Sequence, residues 1–103
     1  MQELTSKEFQ DTIAKGNAVI DFWAPWCGPC RMMAPVFEET GKEHKGTVFA
    51  KVNVDENNDI AGAMAVRGIP TIIFFKDGQE IGRHVGYADK RTLDAKINAA
   101  FKQ

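Results

Sequence analysis

Apolar residues change their spacing several times along the chain, and each change marks an element. Thr5 followed by Glu8 has the spacing of a capping box. Phe9, Ile13 and Ala14 then share one helical face before Gly16 offers a stop, which predicts a first helix over 6–15. Val19-Ile20-Asp21-Phe22-Trp23-Ala24 is a nearly continuous apolar run, the pattern of a central strand covered on both faces, and Asp21 is its one interruption. Cys30, Met33, Ala34 and Phe37 follow at three- and four-residue spacing and predict a long helix that ends before Gly46. Pro35 lies inside it, where a missing N–H and a ring clash should bend the axis and separate the first turn from the body.

Val48, Ala50, Val52 and Val54 alternate with Phe49, Lys51 and Asn53, a second strong strand, before the polar group from Asp55 to Asp59. A short helix is predicted over 59–65. Thr71-Ile72-Ile73-Phe74-Phe75 predicts a third strand, Asp77-Gly78 a hairpin turn, and 80–85 the antiparallel return, in which Gly82 suggests a bulge or an edge position. Asp89 is placed to cap a last helix whose Leu93, Ile97, Ala100 and Phe101 form one apolar face. Strands alternate with helices and a hairpin and helix follow, so the expected architecture is α/β, a mixed sheet with helices on both faces.

With 103 residues, 44% hydrophobic and 26% charged, the chain is expected to form one globular domain over 1–103, with no linker or repeat. Thirteen basic against fourteen acidic side chains leave a formal charge of −1, which supplies no field for nucleic acid or an anionic membrane. The start, Met1-Gln2-Glu3-Leu4-Thr5, has no basic segment followed by an apolar run, and no stretch is long enough to cross a bilayer, so a soluble cytoplasmic protein is expected.

The two cysteines stand as Cys27-Gly28-Pro29-Cys30, too close together for their bridge to brace a fold. A structural zinc site needs about four ligands, and His44 and His84 lie in unrelated segments without pairing spacing, so no metal is expected. Covalent haem needs His after the second cysteine, where this chain has Arg31. Two ordinary buried thiols are the remaining bland reading; a strand leading into a cysteine pair that opens a helix favours a redox motif.

At such a helix start Cys27 faces free backbone N–H groups and the positive dipole end, which favour its thiolate and make it the expected nucleophile. Cys30, one turn further in with less solvent and less dipole assistance, is the expected resolving thiol. Gly28 allows close approach of a partner backbone, and Pro29 suits a first helical turn. Asp21 in a covered strand should have a raised pKa and serve Cys30 as proton acceptor and donor, or else be a solvated aspartate at a strand end. Lys51 either pairs with it or is an edge lysine. Trp26 is read as contact surface, Trp23 as core, and His44 and His84 as solvated. Pro70, just before a buried strand, is read as a cis proline or an ordinary trans loop proline.

The residues Asp21-Phe22-Trp23-Ala24-Pro25-Trp26-Cys27-Gly28-Pro29-Cys30, Ala34-Pro35, Lys51-Val52-Asn53-Val54-Asp55, Arg67-Gly68-Ile69-Pro70-Thr71 and Val85-Gly86 resemble, in order, the signature segments of the thioredoxin family. That resemblance covers nearly the whole chain and implies the thioredoxin fold, a central mixed five-stranded sheet flanked by four helices. It implies Pro70 in cis facing the cysteines, a target groove from Trp26, Gly68, Ile69, Pro70 and Gly86, and a buried Asp21 near Lys51. It further implies a protein-disulfide reductase that cycles a Cys27–Cys30 disulfide without a bound cofactor. Its implied partners are disulfide-containing target proteins and thioredoxin reductase, a flavoprotein that uses FAD and NADPH. A monomer is expected. Asn58 stands where the family usually has proline and Met64 where it usually has an aromatic residue, departures that touch packing and partner preference rather than the redox centre.

Overall fold

The computed structural model describes residues 1–102. Its elements in chain order are β1 (Gln2–Glu3), α1 (Ser6–Ile13), β2 (Asn17–Trp23), α2 (Gly28–Glu43), β3 (Thr47–Asn53), α3 (Asn58–Ala63), β4 (Thr71–Lys76), β5 (Gln79–Val85) and α4 (Lys90–Ala100). One five-stranded sheet has the order β1-β3-β2-β4-β5, with β1, β3 and β2 parallel and β4 and β5 antiparallel to their neighbours. The mixed α/β sheet with helices on both faces is therefore as expected.

The alternation of side chains along each strand sorts the core into two layers. Ala18, Ile20 and Phe22 of β2, Ala50 and Val52 of β3, and Ile73 and Phe75 of β4 pack with Phe9 and Ile13 of α1 and Ile60 of α3. Phe9 lies edge-on to Phe22 and Phe75, with ring centroids 6.1 and 5.7 Å away. On the other face Val19, Ile72 and Phe74 pack with Met33 and Phe37 of α2 and Leu93 and Ile97 of α4. β2, the middle strand, is thus covered by helices on both sides, which is why its sequence reads as an unbroken apolar run.

Local chemistry sets the boundaries. The Thr5 N–H donates to the Glu8 carboxylate at 3.0 Å at the start of α1, and Asp89 accepts the Thr92 N–H at 2.8 Å at the start of α4. α1 closes two residues earlier than its pattern predicts, ahead of Gly16 with φ of 73°. Asp77 and Gly78, with φ of 50° and 87°, make the two-residue turn between β4 and β5. Gly82 sits on the outermost strand beside a register shift at Phe74/Phe75, and a Cβ there would come within 3.3 Å of the Phe74 ring, so both readings of that glycine hold.

β1, with only two residues too short to show a period, is the strand that the family resemblance rather than the pattern implies. Two expectations need correction. Trp23 is half-buried rather than core: it ends β2, and its indole N–H donates to Glu3 Oε1 at 3.1 Å. His44 is not simply solvated, because its Nε2 lies 2.9 Å from Asp94 Oδ1 and joins the end of α2 to α4.

Candidate active site

β2 delivers the chain to a short loop, Ala24 to Cys27, and α2 starts at Gly28. Cys27 is the N-cap of that helix, with extended backbone angles of −86° and 113°, and its sulfur accepts the Cys30 backbone N–H at 3.2 Å. Helix N-caps are ordinarily filled by oxygen-bearing side chains that satisfy an orphan N–H. A sulfur in that position receives the same donor, together with the positive end of the helix dipole, and both favour a thiolate. Pro29 falls in the first turn, where its missing N–H leaves no bond unmade. Gly28 has nothing within 4 Å of where a Cβ would stand, so the backbone between the cysteines lies open to an approaching partner.

Cys27 and Cys30 are joined as a disulfide with their Cα atoms 5.2 Å apart. With Ala24 they form a small buried cluster against Trp23, Val54 and Ile69. The loop before β4 closes over them. The Ile69–Pro70 peptide bond is cis, as the resemblance implied, and the Ile69 carbonyl oxygen lies 3.7 Å from Cys27 Sγ. The Thr71 hydroxyl donates to the Gly68 carbonyl, and the Gly86 N–H donates to the Pro70 carbonyl at 2.7 Å. Gly86 has φ of 99°, which favours glycine. A Cβ on Gly68 would stand 3.2 Å from Val85 Cγ1, so a side chain there would press into the neighbouring strand.

Ile69 thus packs on the cysteine pair, and Gly68, Pro70 and Gly86 are tied to the same loop by backbone and hydroxyl hydrogen bonds. Trp26, next to Cys27 in the chain, is 66% exposed, with its indole N–H donating to Asp55 Oδ2 at 2.9 Å. Asp55 was not singled out from the sequence, since a contact across 29 residues leaves no local signal. Val85 and Tyr87 flank Gly86 and are exposed.

Asp21 is completely buried, and neither of its carboxylate oxygens has a hydrogen-bond partner among the described residues. Burial pushes its pKa up to about 7; the Lys51 charge opposes that rise and the Glu3 charge adds to it. The alternation of β2 puts Asp21 on the α2 side, between Val19, which belongs to the cluster of Met33 and Phe37, and Trp23, which packs on the cysteines. The reading as a solvated strand-end aspartate is thereby overturned. Lys51 stands opposite Asp21 in the β2–β3 register, but no ion pair joins them among the described residues. Its ammonium lies 4.3 Å from the centroid of the Trp23 ring instead. Among the described residues no group of three or more His, Cys, Asp or Glu side chains is placed to hold a metal, and no helix is long and apolar enough to cross a membrane.

Comparison with known proteins agrees with this geometry. The thioredoxin family model matches residues 1–99. The thioredoxin of Chlamydia pneumoniae is 44% identical over 95 residues, which are 92% of this chain and 93% of that one. The thioredoxin of Alicyclobacillus acidocaldarius is 46% identical over 96 residues, 91% of each chain, and that of Listeria monocytogenes 41% over 99 residues, 95% of this chain and 96% of its own. Matches of this extent, joined to a disulfide that opens a helix beside a cis-proline loop, mark a thiol–disulfide oxidoreductase that acts as a protein-disulfide reductase: the chain belongs to the thioredoxin family.

Proposed function

We propose that the reductase reaction runs through Cys27 as attacking thiolate and Cys30 as resolving thiol, with Asp21 as the proton acceptor and donor for Cys30. The observation that carries this reading is the N-cap position of the Cys27 sulfur, where the Cys30 N–H at 3.2 Å and the helix dipole both lower the cost of a negative charge. In the forward step the Cys27 thiolate bonds to one sulfur of the target disulfide, and the other target sulfur departs with the electron pair and is protonated. Cys30 then gives its proton to Asp21, attacks Cys27 Sγ, closes the Cys27–Cys30 disulfide and releases the second target sulfur as a thiolate, which is protonated in turn as Asp21 gives the proton up. Two electrons and two protons have passed to the target.

A target segment lies in the groove of Trp26, Gly28, Pro29, Gly68, Ile69, Pro70 and Gly86. Open backbone at Gly28 and the exposed Trp26 support that assignment. Lys51 limits the rise in the Asp21 pKa through its charge. The chain works as one domain and as a monomer in the cytoplasm, and thioredoxin reductase returns it to the dithiol form with electrons that NADPH supplies through FAD. The test is trapping. Cys30→Ser should hold target proteins in a mixed disulfide through Cys27, Cys27→Ser should hold none, and neither should turn over. Capture through Cys30 instead would reverse the two roles.

A further inference from the structure

Three charged side chains stand in one row across the sheet. β1 pairs with β3 so that Glu3 lies opposite Lys51, and β3 pairs with β2 so that Lys51 lies opposite Asp21. Residues in register project from the same face, here the face covered by α2. The row runs from exposed Glu3 through half-buried Lys51 to fully buried Asp21. Trp23, two residues after Asp21 and therefore on the same face, links its members. Its indole N–H donates to Glu3 Oε1 at 3.1 Å, and its ring carries the Lys51 ammonium at 4.3 Å.

The arrangement is informative because of the bond that is missing. A buried carboxylate with a lysine in register beside it would ordinarily be paired, since a buried charge without a partner is costly. Lys51 instead sits over the indole. A carboxylate that accepts the indole N–H makes the ring more electron-rich and a better seat for a cation. Glu3 therefore has two effects on Asp21, both of one sign. Its own negative charge lies two strand spacings away, and its hydrogen bond fixes the ring that occupies Lys51.

We propose that Glu3 is a positioning residue for Asp21: it anchors the Trp23 indole that holds Lys51, and so keeps the ammonium from closing on the buried carboxylate. The consequence is that Asp21 keeps a proton at a pH where an ion-paired aspartate would have lost it. The charged groups facing Asp21 are few. β3 supplies Lys51 and β1 supplies Glu3, while α2 covers this face with Met33 and Phe37. β4 places apolar Ile72 and Phe74 on this face, β5 places His84 two strands away opposite Ile72, and α4 turns Leu93 and Ile97 inward. Glu3 is thus the anionic group through which the edge of the sheet reaches the redox centre. This inference concerns the acidity of Asp21 and rests on its proposed proton-acceptor role only for the kinetic consequence.

The test is the titration of the Asp21 carboxyl carbon by NMR in the intact disulfide-form protein. Glu3→Ala removes both the charge and the anchor, and Glu3→Gln removes the charge but keeps an oxygen that accepts the Trp23 N–H. Glu3 is exposed at the end of a two-residue strand, so both variants should fold. Glu3→Ala should lower the Asp21 midpoint by about half a pH unit or more, the size expected of one charge about 10 Å away in partly hydrated protein plus the freed ammonium. Glu3→Gln should lower it less, and a shift in the Ala variant alone would assign the whole effect to the Trp23 anchor. An unmoved or raised midpoint in Glu3→Ala would overturn the proposal. The pH profile of target reduction, measured on the same variants, should move with the midpoint. A midpoint that moves while the rate profile stays fixed would leave Glu3 its role and remove Asp21 from proton transfer.

Discussion

Ala18, Ile20 and Phe22 on one face of β2 and Val19, Asp21 and Trp23 on the other come from the same seven-residue strand, yet they meet different environments. The first set enters an apolar layer closed by α1 and α3, where Phe22 is fully buried against Phe9. The second lies under α2, where the strand buries a carboxylate with no hydrogen-bond partner among the described residues and ends beside two cysteines. The period of two that any strand possesses thus divides the work of this one. Both faces bury apolar core, but only the second also holds a group in a state that costs stability and supplies chemistry.

The division can be broken from either side. Phe22→Ala should cost about 3–5 kcal/mol, the range for emptying an aromatic site in a core, while the pH dependence of exchange below the melting temperature stays as it was. Denaturant unfolding together with a rate profile checks both halves, and an altered profile would show that the faces are not independent.

Asp21→Asn should act in the opposite sense. The folded pKa near 7 lies above the ordinary aspartate value, so the native state holds its proton where the unfolded chain has released it. The stability contributed by Asp21 is then fully present below about pH 4 and is lost as pH rises through about 7. The Asn variant should be more stable than the parent by roughly 4 kcal/mol at pH 8 and show little difference near pH 3, while exchange slows roughly 100-fold. Equal stability curves for parent and variant would mean that the buried carboxylate carries no penalty.

What could be read in advance follows the same division. The apolar face of β2, the hairpin at Asp77-Gly78 and the cap at Asp89 are local patterns, and each appears where spacing and residue type place it. Cys27 at a helix start is also local, because a strand, a turn and a proline in the first helical turn all adjoin it. The burial of Asp21 was half legible. The apolar run around it predicts a covered strand, but whether Lys51 would neutralise it depends on Trp23 and Glu3, which come together only when β1 pairs with β3. Trp23 was misread for that reason, since a residue that ends a strand has a partner the run itself does not reveal. His44 was misread likewise, its bond to Asp94 spanning 50 residues.

The working direction of the cysteine pair is the central claim. A strong oxidant requires an unusually stable reduced form. Here the helix dipole and one N–H favour the Cys27 thiolate, but Gly28-Pro29 places no cation between the sulfurs, and Asp21 beneath α2 opposes further negative charge once ionised. Stabilisation of the dithiol form should therefore be moderate and the pair reducing. Equilibration with glutathione redox buffers, followed by alkylation of free thiols and counting of the two forms, gives the reduction potential of Cys27–Cys30. The expected value is more negative than that of protein disulfide isomerase, about −180 mV; a value equal to it or more positive would contradict the account and make the protein a disulfide donor.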